Sequence, residues 1–418
     1  MATMDELVQK SIQQAGVLKK PSLLTPWISD EPWPQPYYTW DAESEVWQPI
    51  IKPTASPADH PAPFSAITTV ALYSWNIDFM LPFAEARMSA ALAHLEELTK
   101  QLPSTTAVAI NLQECHPSDL INISQKKWVR ESFFMSDLDT SAWASGLYGT
   151  TMLVDRRLGI ASCFRVHYSA TQMERDALFV DITVPETRNK IRLGNTHLES
   201  LALDPPMRPS QMRLAAAHLH ADEELAGAII AGDFNAIQPF DASLHVDNNL
   251  KDAYLELGGQ EGSEDGFTWG QQALPTLRRR FGCSRMDKAY FCGSGIKLQS
   301  LERFGADVEV DQGQERQRDG LLALGFEKAW VTDHLGIKAT FGILTAARRT
   351  KHPALKLFRE TKQHGKVDDA KKGHEEVEAR DESATVRSPV PQLRRGAMSL
   401  ENETRSMGAV PNENAGQG

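Results

Sequence analysis

The sequence predicts an α/β fold in which β-sheets pack together and helices lie outside. Three observations carry this. Strand-like and helix-like blocks alternate from about residue 66 to 343. Several strand-like blocks follow one another without a helix between them. The composition changes sharply on both sides of this zone.

The central elements follow in order. ITTVALYSWNI (67–77) is a short apolar run with β-branched residues, so it reads as a strand. After Pro82, Met88, Leu92, Leu95 and Leu98 recur near helical spacing on one face. VAINLQE (108–114) is a second strand. YGTTMLVD, IASCFRVHYS, ALFVDITVP and KIRLGNTHLES are successive strand-like blocks between 148 and 200. RPSQMRLAAAHLHADEEL opens with Pro209 near a first helical turn and reads as a helix. GAIIAGDFNA (227–236) is a buried strand ending in turn residues. A helix over 250–257, strands in SRMDKAYFCG and IKLQSLERFG, and a last strand in HLGIKATFGIL complete the zone.

The flanks read differently. Residues 1–65 are rich in Pro and Trp. Prolines at this density argue against a regular core element. Trp27, Trp33, Tyr37, Tyr38, Trp40 and Trp47 are too many rings for a solvated linker. The segment is therefore expected to drape over the domain surface, anchored by its rings, or to bind a protein partner. Residues 344–418 are polar, charged and poor in aromatics, and are expected to be a disordered tail. Its Lys and Arg clusters fit a solvated tail, an address signal or a nucleic-acid tether.

Composition bounds the function. A net charge of −11 argues against a broad basic clamp on nucleic acid, though not against a local groove. No apolar run approaches the ~20 residues of a membrane span. MATMDELVQKSIQQAG has no apolar h-region, so no secretory signal is expected. Cys115, Cys163, Cys283 and Cys292 have neither disulfide-framework nor metal-ligand spacing. An intracellular monomer, nuclear or cytoplasmic, is the expectation.

Strand after strand ends on polar residues. Asn76 and Asp78 close the first, Glu114 the second, His197, Glu199 and Ser200 another, and Asp233 and Asn235 a fourth; Asp333 and His334 precede the last. Each alone reads as a turn or surface group. Converging at one edge, they suit metal-assisted attack on a phosphodiester. A hard cation such as Mg²⁺ takes a few carboxylates and leaves room for phosphate. Glu114 is the best direct ligand, with Asp78 near it. His197, His334 and Asn76 suit stabilising charge on the phosphate. Asp233 suits activating water, with Asn235 fixing its geometry. Asp287 is placed to orient His334. There is no G-x-S-x-G elbow and no P-loop.

The order WNID (75–78), LQE (112–114), THLES (196–200), GDFN (232–235), RMDK (285–288) and TDHLG (332–336) resembles the endonuclease/exonuclease/phosphatase, or DNase I-like, superfamily. Within it, WNID and HLES look most like the tyrosyl-DNA phosphodiesterase 2-like group. The resemblance covers about 66–343. It implies a four-layer α/β sandwich, two mixed sheets face to face with helices outside, and a site at one end. It implies a Mg²⁺-dependent phosphodiesterase, with Mn²⁺ as an alternative metal and DNA 5′ ends as the substrate. Residue by residue, it implies Asp78 and Glu114 at the metal and Asn76 and Ser200 at the phosphate. It implies Asp233 as acid/base, with Asn235 beside it. His197 and His334 stabilise the transition state, with Asp287 and Asp333 in support. It implies Trp269 of FTWG lining a DNA groove and Met286 beside the substrate. The alternatives are another phosphoester, such as RNA, a nucleotide or a lipid headgroup, and a catalytically silent binding module.

This sequence also departs from the group. Ile237 and Gln238 stand where a substrate-holding cation is expected after GDFN, and Leu201 and Ala202 where one is expected after HLES. Residues 305–331 look like an insertion. RRRFGCSR (278–285) is either a basic patch or a solvated strand edge.

Overall fold

The apolar runs become strands buried on both faces. A computed structural model describes residues 25–51 and 66–344, apart from 186 and 188. In chain order its strands are β1 (Trp33–Pro34), β2 (Tyr37–Asp41), β3 (Val46–Ile50), β4 (Thr69–Asn76), β5 (Thr106–Cys115), β6 (Phe133–Met135), β7 (Gly149–Asp155), β8 (Gly159–His167), β9 (Asp176–Thr183), β10 (Lys190–His197), β11 (Leu225–Asp233), β12 (Lys251–Asp252), β13 (Asp287–Cys292), β14 (Ile296–Phe304) and β15 (Gly336–Ile343). Among the described residues one sheet runs β1-β8-β9-β10-β11-β13-β12 and the other β14-β15-β4-β5-β7-β6-β2-β3. Both are mixed: β4 and β5 are parallel, as are β10 and β11, and the other pairings are antiparallel.

Side-chain alternation builds the four layers. In β4, Val70 and Leu72 face the second sheet and meet Leu178, Leu193 and Ile229. Ala71, Tyr73 and Trp75 face the other way, onto Met88, Leu92 and Leu95 of helix α1 (Ala84–Lys100). In β11, Ile229 and Ala231 face inward, while Ala228 and Ile230 pack on Met212, Ala215 and Leu219 of helix α2 (Arg208–His220). This is the DNase I-like α/β sandwich.

Near one end the apolar layer gives way to amides that bolt the sheets together. Asn111 Nδ2 donates to Gly194 O (2.8 Å), Gln113 Nε2 to Asn195 Oδ1 (2.8 Å) and Asn195 Nδ2 to Thr151 O (2.9 Å). Buried amides bonded this way fix one register between the sheets. Gly232 allows β10 and β11 to approach, because a Cβ there would overlap the Thr196 carbonyl.

Two expectations are corrected, and a third segment gains definition. The Pro/Trp-rich segment does form regular structure: β1 pairs with β8, and the β2–β3 hairpin pairs with β6. Pro34 and Pro49 lie in β1 and β3, the outermost strands of the two sheets, where a missing N–H breaks no ladder. Its rings anchor it, Trp27 stacking on His167 at 3.8 Å, Trp40 lying under Arg130 at 4.0 Å and Trp47 Nε1 donating to Ser124 O at 3.1 Å. The expected helix at 250–257 shrinks to one turn, Ala253–Glu256. Asp252 belongs to β12 and caps that turn, and Gly258 at φ 90° follows it. The apparent insertion carries helix α3 (Glu315–Ala323), whose Leu321 packs with Ala86, Val310 and Ala329.

The expected disordered tail lies outside the described residues beyond Leu344, as do residues 1–24 and 52–65. No described helix is long and apolar enough to cross a membrane.

Candidate active site

Strand register places the site. His197 ends β10 opposite Asp233 on β11, and Asp233 pairs with Asp287 on β13. In the other sheet, Asn76 ends β4 beside Gln113 of β5, one residue before Glu114. The two sets meet across the sandwich. Asn76 Nδ2 donates to Asp233 Oδ2 at 2.9 Å and to Glu114 Oε1 at 3.3 Å. Segment 331–335 joins them from β15, with Thr332 Oγ1 donating to Asn76 O at 2.9 Å.

The backbone turns sharply here. Asp78 (φ 55°), Glu114 (φ 54°), Leu201 (φ 69°) and Asn235 (φ 48°) are left-handed non-glycine residues at these strand ends. Each such residue costs about 1–3 kcal/mol, and such strain gathers at functional sites. Local bonds hold the turns. Phe79 N donates to Glu114 Oε2 (3.1 Å), Asp78 N to Asn76 Oδ1 (2.9 Å), and Asn235 N to Asp233 Oδ1 (2.8 Å). Arg87, buried on α1, donates to the carbonyls of Ile77, Asp78, Leu81, Pro82 and Val331.

The two histidines differ. His197 is buried with Nδ1 against the Arg175 guanidinium. A guanidinium only donates, so Nδ1 accepts and Nε2 carries the hydrogen. That Nε2 lies 3.4 Å from Asp233 Oδ2 and 3.6 Å from Glu114 Oε1, and has no hydrogen-bond partner. Burial, then Arg175, lowers its pKa. His334 is raised well above the ordinary value: burial opposes its charge, but Asp287 and Asp233 outweigh burial. Its Nδ1 pairs with Asp287 Oδ2 at 2.9 Å, and its Nε2 lies 3.8 Å from both Asp233 Oδ2 and Asp333 Oδ1.

The carboxylates separate as well. Burial pushes Asp78 up to about 6, reinforced by Asp333. Burial also pushes Asp287 up to about 6, although His334 opposes it. Asp333 is raised by burial. Burial acts upward on Asp233 too, yet His334 and His197 hold it well below the usual carboxylate range. Asp233 is thus held as a carboxylate, with imidazoles facing it.

Most of the residues named from sequence come together. Asn76, Glu114, His197, Asp233, Asp287 and His334 are linked directly, and Asn235 fixes Asp233 while accepting from Ser200 Oγ at 2.9 Å. Asp78 sits to one side, its Oδ1 accepting from Met80 N. Trp269 and Met286 lie beside this group, in a buried cluster with Ala273 and Leu277. The Trp269 indole N–H is taken by Asp333 Oδ2 at 2.7 Å. Sequence reasoning missed Arg175 and Arg87, and gave Thr332 of TDHLG no role of its own. Arg175 precedes β9 and belongs to none of the strand-end motifs; a charge abutting an apolar strand was its only signal.

Among the described residues, two groups have ligand atoms close enough to share a cation: Glu114, His197 and Asp233, and Asp233, Asp287 and His334. His197 Nε2 bears hydrogen, and His334 Nδ1 is engaged by Asp287. Carboxylate oxygens make up most of the remaining donors, and they fit a hard divalent cation.

The model of the Endonuclease/Exonuclease/phosphatase family matches residues 73–334, more than half of the chain. The chain belongs to that family. No curated protein sequence matches it significantly. Among solved structures, this family member is similar to a D. rerio TDP2 humanized by 14 mutations, with 20% identity and TM-score 0.50 over 66% of this chain and 99% of that one. It is similar to D. rerio TDP2 complexed with a single-strand DNA product, with 19% identity and TM-score 0.50 over 66% and 99%. It is also similar to the human Nocturnin catalytic domain, with 17% identity and TM-score 0.45 over 66% and 94%. At these identities the likeness is one of fold.

Proposed function

We propose that this chain is a divalent-metal-dependent phosphodiesterase, cleaving one ester by in-line attack of water, with 5′-tyrosyl-DNA as the first candidate substrate. One observation carries the reading: an ionised Asp233 faces two imidazole N–H groups and the Asn76 amide, beside Glu114.

Glu114 would hold Mg²⁺ or Mn²⁺, with Asp78 beside it. The cation supplies charge for the phosphate oxygens and a template for the substrate. The protein does the rest. Asp233 accepts the proton of the attacking water, kept in place by Asn235 N–H and Asn76 Nδ2. His197 Nε2–H and the His334 imidazolium donate to phosphate oxygens as charge grows there. Asp287 keeps His334 charged and oriented. Ser200 reinforces Asn235.

The test is metal-dependent turnover. Bis-p-nitrophenyl phosphate and a 5′-phosphotyrosyl oligonucleotide are assayed with Mg²⁺ and with EDTA. EDTA is expected to abolish hydrolysis of both, and Glu114→Ala and Asp233→Asn to remove most activity. Unchanged activity in either variant would overturn the mechanism. Turnover of the small diester without the oligonucleotide would leave a phosphodiesterase of another substrate. Ile237, 40% exposed two residues beyond Asn235, favours that second reading.

A further inference from the structure

We infer that Leu201 and Ile237 form an apolar shelf for an uncharged arm of the substrate, so that this site selects a phosphodiester with one apolar substituent over a polynucleotide strand. The inference rests on the phosphodiesterase reading above.

Both residues follow phosphate-facing groups along the chain, Leu201 after Ser200 and Ile237 after Asn235. Ile237 is 40% exposed, two residues beyond Asn235. Leu201 follows Ser200, whose hydroxyl is bonded to Asn235. One buried ion pair carries both residues. Arg208 grips Asp241 through two 2.8 Å bonds and donates to Leu201 O at 2.7 Å. Asp241 Oδ2 in turn accepts from Ile237 N at 3.0 Å and Gln238 N at 2.8 Å. The Arg208 charge is thus spent on the frame and turned away from any ligand.

The other guanidiniums at this centre are spent as well. Arg87 donates to carbonyls, and Arg175 to His197. Gripping a strand needs exposed cations that replace its counterions. Arg87, Arg175 and Arg208 are all buried, and the chain carries −11 overall. The Leu201 φ of 69° suits Gly or Asn better than Leu. The Arg208 bond to its carbonyl holds it in that conformation beside Ser200.

The test holds the leaving group constant and varies the other arm. The full chain with Mg²⁺ is given p-nitrophenyl phosphodiesters whose second arm is methyl, phenyl, thymidine joined through its 5′ oxygen, or a thymidine decamer joined the same way. The expected kcat/KM is about tenfold higher for phenyl than for methyl, the scale of burying part of a ring. The decamer is expected to be no better than thymidine, with rates nearly flat in salt. Leu201→Ala and Ile237→Ala should collapse the phenyl-to-methyl ratio. Ile237→Lys should raise decamer turnover and make it salt-sensitive. Circular dichroism checks that each variant folds, and Ile237 is exposed enough to be replaced.

A decamer preferred tenfold over thymidine, with steep loss in salt, would overturn the shelf. So would a phenyl-to-methyl ratio unchanged in both alanine variants. If none of the four esters is hydrolysed, the phosphodiesterase reading falls and the shelf falls with it. That outcome is distinct from active enzyme with the wrong preference.

Discussion

The Arg175 guanidinium donates to Nδ1 of His197, and this one bond decides which way His197 faces chemically. It forces the hydrogen onto Nε2, toward Asp233 and Glu114. Without it the ring is free to carry its hydrogen on Nδ1 and present a lone pair to the phosphate.

Arg175→Met is therefore expected to lower kcat on bis-p-nitrophenyl phosphate by about 100-fold, the scale of losing one preorganised donor to a transition-state oxygen. KM should change little. His197→Ala should cost about as much, and the double variant little more than either single one, because the two side chains act as one unit. Fully multiplicative losses would separate Arg175 from His197.

Asp287 and His334 form the second unit, at 2.9 Å. The His334 pKa is raised, chiefly by Asp287 and Asp233 against burial. A function that needs its imidazolium is present below the folded pKa and lost as pH rises through it. Asp287→Asn removes the largest support, so the alkaline limb of kcat against pH should move to lower pH. The activity at the optimum should fall about 10–100-fold, the usual cost of removing such a partner. A limb that stays in place would show that His334 does not titrate on it.

Trp269 gives a test that separates support from substrate contact. Its N–H is committed to Asp333 at 2.7 Å, and its ring lies in the cluster with Leu277 and Met286. Trp269→Phe should lower kcat by about tenfold, through a misplaced Asp333. The loss should be equal for bis-p-nitrophenyl phosphate and for an oligonucleotide. A loss confined to the oligonucleotide would support the groove role.

The legible part of the site was its strand-end chemistry. Asn76, Glu114, His197, Asp233 and His334 stand in short motifs at the ends of apolar runs, where a turn residue has no need of that chemistry. The sheets were legible because β4, β5 and β11 are buried on both faces and read as unbroken apolar runs. What was not legible was set by distant contact. Arg175 reaches His197 from the start of another strand, and nothing local marks it. The bond from the Trp269 N–H to Asp333 spans 64 residues and has no local mark either. Pro34 and Pro49 spoke against strands, but outermost strands tolerate them.

Asp119 gives a stability test free of the catalytic chemistry. It sits in the first turn of the helix Pro117–Gln125, where its Oδ2 accepts from His116 N at 2.7 Å as part of a capping box. Its Oδ1 is buried without a partner. Burial pushes its pKa from 3.8 up to about 6, against the weaker pull of the His116 N–H and Arg87. The sign follows from proton uptake. Between these pKa values the native state holds the proton and the unfolded state does not, so stability falls as pH rises. The contribution is fully present below the unfolded pKa and lost as pH rises through about 6. A shift of roughly two units corresponds to about 3 kcal/mol at most. Asp119→Asn keeps the acceptor and removes the titration. In urea unfolding with EDTA present, the native chain should lose stability from pH 4.5 to pH 7 relative to Asp119→Asn. Parallel pH profiles for the two proteins would show that Asp119 stays ionised in the fold, its buried oxygen satisfied in some other way.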